Sequence, residues 1–226
     1  MANDKSGRGR TPDENVRAPA SPLATIAVSE CLLGRAVRWD GDDNGDVWPR
    51  EAVARLFHCV GLCPEVGIGL GVPRPPIQLA GDPDAPRAVK VDDPATDYTD
   101  RLAGYARRMA TTLNGVAGYI FADRSPSCGL SVVKVYDEAG AYRRVGRGVY
   151  AAAVLASRPG LPAVDAETLN CRDVLIDFAL AVVAYAGWRP EGMDMADLRA
   201  TIEHRVASVG LRDPGARESN PNWSES

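Results

Sequence analysis

Three short apolar runs in this chain each lead into a cysteine set in a Gly- or Pro-bearing turn. Thr25–Ser29 (TIAVS) runs into Glu30-Cys31-Leu32-Leu33-Gly34, and Phe57–Leu62 (FHCVGL) into Cys63-Pro64-Glu65. Val116–Ala122 (VAGYIFA) runs into Asp123-Arg124-Ser125-Pro126-Ser127-Cys128-Gly129. Runs of this length and character, bounded by turn residues, read as buried strands. Helical patterns lie between and after them. Pro49 suits the first turn of a helix over about 50–56. Leu102, Tyr105, Ala106, Met109 and Leu113 share one face of a helix over about 97–113, closed by Asn114-Gly115. Helices are also expected over 148–157, 171–187 and 195–208, with a last short strand over 162–164. Val132–Tyr136 reads as a strand or an extended loop, and 67–76 is too rich in Gly and Pro for either element. This alternation predicts an α/β fold with a mainly parallel central sheet flanked by helices. Sites in such sheets form beyond the carboxyl ends of the strands. Parallel pairing would therefore gather Cys31, Cys63 and Cys128 at one edge.

The chain has 226 residues, enough to bury a core without disulfides. We divide it into an α/β body over 23–169, a helical extension over 170–211 and two tails, 1–22 and 212–226, that read as disordered. The extension is read as two packing helices, forming a homodimer surface or a lid. A net charge of −4 argues against coating nucleic acid, though it leaves room for a local basic groove. Residues 1–22 contain no apolar leader. The most apolar stretch, Val174–Trp188, is broken by Asp177 and too short to span a membrane. The expected compartment is the cytoplasm, where thiols stay reduced. The five cysteines are then ligands, catalytic groups or core filler.

Cys59 lies within a strand and Cys171 starts a helix, so both read as core. Cys59 and Cys63 form a C-x-x-x-C pair, a weak zinc signal without a second pair. His58 and His204 read as structural or exposed. Sulfur-only donors leave zinc and iron–sulfur clusters as the chemical options. Three cysteines cannot close a structural zinc site, whereas on a four-iron cluster they leave one iron open. An open position marks a metal that meets substrate.

Other residues near these turns carry chemistry too. Glu65 follows Cys63 by two residues, with Pro64 fixing the backbone between. Its carboxyl suits proton transfer or, more plainly, a helix N-terminus. Ser125 and Ser127 offer hydroxyls to water or a substrate carbonyl, or to the amides of their own loop. Arg38 and Asp40 lie in the loop after Cys31, where Asp40-Gly41 is also an ordinary turn signal. Arg74, between Pro73 and Pro75, could aim its guanidinium at a carbonyl or phosphate, or serve as a buried structural group.

The cysteine-bearing segments resemble the thiouracil desulfidase family. The matching stretches are Val28–Gly34, Val37–Gly41, Cys63–Val66, Gly69–Pro76, Arg124–Gly129 and Gly146–Val149, in family order over about 25–168. The resemblance implies a 4Fe-4S cluster held by Cys31, Cys63 and Cys128, its fourth iron free for the sulfur of a small thiolated base. It points to Glu65 as acid/base and Ser125 as the substrate-side hydroxyl; Ser127, Asp40 and Arg74 are read from the residues themselves as further substrate contacts. The implied reaction converts 2- or 4-thiouracil to uracil and sulfide without net electron transfer. The sequence departs from the family at Glu30, where a small residue is common, at Trp39 in place of Tyr, and at Gln78 in place of Glu. Three alternatives stand beside this reading: desulfidation of thiouridine in tRNA, a non-catalytic metal or cluster module, and a thiol-redox enzyme using Cys59 and Cys63.

Overall fold

The structure, a computed structural model, describes residues 21–45, 48–187, 193–207 and 211. The two tails read from the sequence lie almost wholly outside the described residues.

Four strands form the first sheet: β1 (Ala24–Ser29), β2 (Phe57–Leu62), β6 (Val116–Phe121) and β9 (Ala163–Asp165), in the order β2-β1-β6-β9. Every pairing is parallel. β1 and β2 run in register from Ala24 opposite Phe57 to Ser29 opposite Leu62. All six residues of β6 are buried, as expected of a central strand covered on both faces. Tyr119 and Phe121 stack at 3.8 Å, and Tyr150 meets both rings edge-on.

Helices cover this sheet. α1 (Arg50–Leu56) precedes β2, and α3 (Thr99–Thr112) packs along α4 (Val149–Ser157). α5 (Arg172–Tyr185) and α6 (Met195–Val206) belong to the same core. Leu175, Ile176, Phe178, Ala179, Val182 and Val183 of α5 are buried, and Phe178 meets Phe57 edge-on at 6.2 Å. Gly118 is what allows α5 to come so close. A Cβ there would lie 2.6 Å from a methyl of Val182.

A second sheet of five strands was not expected from the sequence. It orders β5 (Asp93–Asp97), β4 (Arg87–Lys90), β3 (Ile77–Ala80), β7 (Val133–Tyr136) and β8 (Tyr142–Gly146). All its pairings are antiparallel except β3 with β7. These strands are four or five residues long, and β5 and β8 (DPATD, YRRVG) are polar. Alternation over so few residues carries little signal. Ile77, Leu79, Ala88, Val133 and Val135 bury a small core of their own against Leu102 and Val149. Elsewhere the expected elements hold, with ends moved by a few residues. The helix read over 97–113 begins at Thr99 because Asp97 ends β5 and Tyr98 caps the helix. The last residue of the helix read over 195–208 lies outside the described residues.

Candidate active site at the strand ends

The carboxyl edge of the first sheet opens into a pocket of about 260 Å³. Its wall includes Cys31, Cys63, Cys128, Glu65, Arg74, Ser125 and Asp123. Each cysteine arrives by a different local device. Cys31 sits in a 3-10 turn (Glu30–Leu33) that leaves β1 and ends at Gly34, whose φ of 78° suits glycine. Cys63 precedes a single helical turn, α2 (Pro64–Gly67), with Pro64 at its first position. Cys128 lies in the loop after β6. Ser125 Oγ accepts the amides of Cys128 (3.1 Å) and Ser127 (3.3 Å). The same loop is then seated on the start of α4. Gly148, Val149 and Ala151 donate their amides to the carbonyls of Gly129, Pro126 and Ser127. Gly148 must lack a side chain, because a Cβ would lie 2.4 Å from the backbone of Ser127.

The three thiols sense one another. Burial pushes Cys31 up to about 11, and the charge of Cys63 adds to this while Arg38 opposes it. Burial also raises Cys128 well above an ordinary thiol, again with Cys63 adding and the Ser29 hydroxyl opposing. Burial raises Cys63 as well, against the amide of Val66. Three thiols this close resist ionising together unless a cation compensates them. Burial alone raises Cys59, to about 11. That side chain does not line the pocket and packs against the core.

The donor set fits an iron–sulfur cluster better than a lone ion. Among the described residues, no three His, Cys, Asp or Glu side chains close round a single metal ion. A four-iron cluster asks for a wider triangle of thiolates, because each one binds a different iron. Three thiols on the wall of one pocket are donors of the kind such a cluster takes.

Glu65 is held at both carboxylate oxygens. Arg74 Nε donates to Oε2 at 2.7 Å and Ser127 Oγ to Oε1 at 2.9 Å. The Arg74 side chain is only 4% exposed, and its other donors reach the carbonyls of Gly71 and Val37. Of the two readings the sequence left open for Arg74, a substrate contact or a buried structural group, its guanidinium is engaged by the protein while the residue still lines the pocket. Ser127 is fully buried and does not line the pocket. Asp40 is also off the pocket wall. It is exposed, pairs with Arg38 at 3.2 Å and accepts the amide of Asp42. Arg38 reaches the wall and is braced on its other side by Asn44 at 2.7 Å.

Sequence reasoning passed over Ser29, Trp39, Asn44 and Asp123, all on the wall. Ser29 and Asp123 stand at strand ends, so the rule that found the cysteines could have found them. Trp39 and Asn44 lie in a loop whose path no local pattern reveals.

A family model described as 2-thiouracil desulfurase matches residues 26–166. The chain belongs to the 2-thiouracil desulfurase family. Among solved structures it is similar to TudS, described as a 4Fe-4S-dependent thiouracil desulfidase, with 30% identity and a TM-score of 0.51. The likeness covers 71% of this chain and 99% of that one. No protein of curated function matches the chain. The family match includes Cys31, Cys63 and Cys128 and stops before α5. Among the described residues no helix is long and apolar enough to cross a membrane.

Proposed function

We propose that this chain is a non-redox desulfidase that converts a thiolated pyrimidine, 2- or 4-thiouracil, to uracil and sulfide. The observation that carries the reading is a single pocket walled by three thiols and an anchored carboxylate. Cys31, Cys63 and Cys128 would hold a 4Fe-4S cluster, the cofactor on which the similar TudS depends. When bound, the cluster supplies an open iron, a soft Lewis acid for a thiocarbonyl sulfur.

The chain's own residues do the rest. Arg74 and Ser127 fix the carboxylate of Glu65 on the wall beside Cys63, which suits it to take a proton from water attacking the ring carbon. Positioning of this kind lowers the barrier without any new bond to the protein. The Ser125 oxygen orders the Cys128 loop, and the residue lies on the pocket wall, where its hydroxyl would meet the substrate carbonyl. Asp40 steadies Arg38, which faces the pocket. Val37, Leu62, Pro64, Pro76 and Ile77 supply apolar wall that limits water. The bond change is hydrolytic: carbon gains oxygen and loses sulfur. A cytoplasmic setting fits thiols that must stay reduced until loaded.

One observation favours a second substrate, thiouridine within tRNA. A groove of about 350 Å³ shares Ile77, Arg124 and Pro126 with the pocket and carries Lys134 and Arg144. Cations there suit a sugar-phosphate backbone, and tRNA binding would weaken steeply with salt.

The test is anaerobic purification, quantification of iron and sulfide, and turnover assays with 2-thiouracil, 4-thiouracil and thiolated tRNA. The reading expects about four of each inorganic atom per chain and release of sulfide from a free thiouracil. A loaded protein that releases sulfide from none of the three contradicts it.

A further inference from the structure

Asp123 is a carboxylate on the pocket wall that the mechanism above does not use. It lies two residues past the end of β6, and Glu65 lies three past the end of β2. In the order β2-β1-β6-β9 these strands flank β1, which leads to Cys31. Two strand spacings, about 10 Å, separate them. Both residues line the same pocket, reached from strands on either side of the one that leads to Cys31.

Their surroundings also differ. Glu65 is paired with a buried guanidinium. Among the described residues no cation lies within ion-pair range of Asp123, since the adjacent Arg124 turns to Glu167 instead. The hydrogen bond Asp123 does accept comes from the amide of Glu167, at 3.1 and 3.3 Å. The charged groups facing it, Glu167 and Asp165, are both acidic. Burial pushes the Asp123 carboxyl up to about 6; the Glu167 amide opposes this, and the two acidic neighbours add to it. A carboxyl group held protonated near neutral pH suits the acid role.

We propose that Asp123 is the catalytic acid of the reaction, giving its proton to the departing sulfur while Glu65 takes one from the attacking water. The assignment rests on the desulfidase reading above. Water oxygen bonds to the thiocarbonyl carbon and one of its protons moves to Glu65. The carbon–sulfur π pair shifts to sulfur, which receives the Asp123 proton. The carbon–sulfur bond then breaks with its electron pair on sulfur, as the new hydroxyl becomes a carbonyl and its proton restores Asp123. The products are the carbonyl base and hydrosulfide, and Glu65 releases its proton to solvent. No oxidant or reductant enters.

Two measurements test this. In the metal-free protein, a carbon-13 NMR titration of aspartate carboxyls, assigned with Asp123→Asn, should put Asp123 at a midpoint near 6. A midpoint near the ordinary 3.8 overturns the assignment. In the loaded enzyme, Asp123→Asn keeps an acceptor for the Glu167 amide. Its iron content and melting temperature should match wild type, while kcat/KM for 2-thiouracil falls at least about 100-fold. Wild-type activity should decline as pH rises through about 6, and Asp123→Asn should lose that limb. Asp123→Glu should keep it. An active wild type beside an equally active Asp123→Asn overturns the acid role alone. A loaded wild type that releases sulfide from neither thiouracil nor thiolated tRNA overturns the desulfidase reading and this role with it.

Discussion

The Ser127 hydroxyl donates to Glu65 Oε1 at 2.9 Å, across 62 residues of sequence. This one bond ties the loop that carries Cys128 to the turn that carries Cys63. Arg74 grips the other oxygen of the same carboxylate and reaches the carbonyl of Val37, in the loop after Cys31. The two anchors of Glu65 thus join all three cysteine-bearing segments. Glu65→Gln should keep the brown cluster absorbance and lower kcat by about 100- to 10,000-fold, the range for a lost general base. Wild-type turnover in that variant would remove Glu65 from the chemistry.

Removing an anchor should separate from removing the carboxylate itself. Ser127→Ala leaves Glu65 with Arg74 and should cost about 1–3 kcal/mol of stability. Arg74→Met leaves a largely buried carboxylate unpaired and should cost about 3–5 kcal/mol. Urea denaturation of the metal-free proteins gives both values. A smaller loss in Arg74→Met than in Ser127→Ala would contradict the ion pair as the principal anchor.

Alkaline pH should weaken the metal-free protein. Burial holds Cys31 and Cys59 at about 11, against 9.0 for a free thiol. The folded state therefore binds more protons than the unfolded chain between those values, and stability falls as pH rises. The contribution is whole below about pH 9 and is lost through about pH 11. Burial raises the Tyr119 and Tyr150 phenols in the same direction. Melting temperatures of metal-free protein should drop across this window, and the slope should lessen in Cys59→Ala. A flat profile would contradict the burial of these thiols.

The helices beyond the family match bear on stability rather than on the pocket. Phe178 of α5 is 7% exposed and packs edge-on against Phe57, the first residue of β2. Phe178→Ala should cost about 3–5 kcal/mol in urea denaturation. A loss below 1 kcal/mol would show that α5 is only loosely attached.

Much of the first sheet was legible because its strands read as short apolar runs bounded by turn residues, the central β6 being buried throughout. The same runs, taken to their ends, pointed to Cys31, Cys63 and Cys128 before any geometry was known. The second sheet was not legible. Asp93–Asp97 has no apolar face, and Tyr142–Gly146 gains its strand from pairing with β7, a tertiary partner. The separate parts of Glu65, Arg74 and Ser127 were visible as residues but not as one assembly. Spacing along the chain does not tell that a serine at 127 reaches a carboxylate at 65. Asp40 illustrates the reverse, a polar residue in a matching motif whose partner is its neighbour Arg38 at the surface.

The central claim is that three particular thiols, and not the other two, hold the iron. The direct measurement is iron and sulfide content with visible absorbance after anaerobic purification, made on single alanine variants of Cys31, Cys59, Cys63, Cys128 and Cys171. The account predicts that Cys59→Ala and Cys171→Ala stay fully loaded and brown, while each of the other three loses its cluster. A Cys63→Ala protein with full iron content and wild-type absorbance would contradict it.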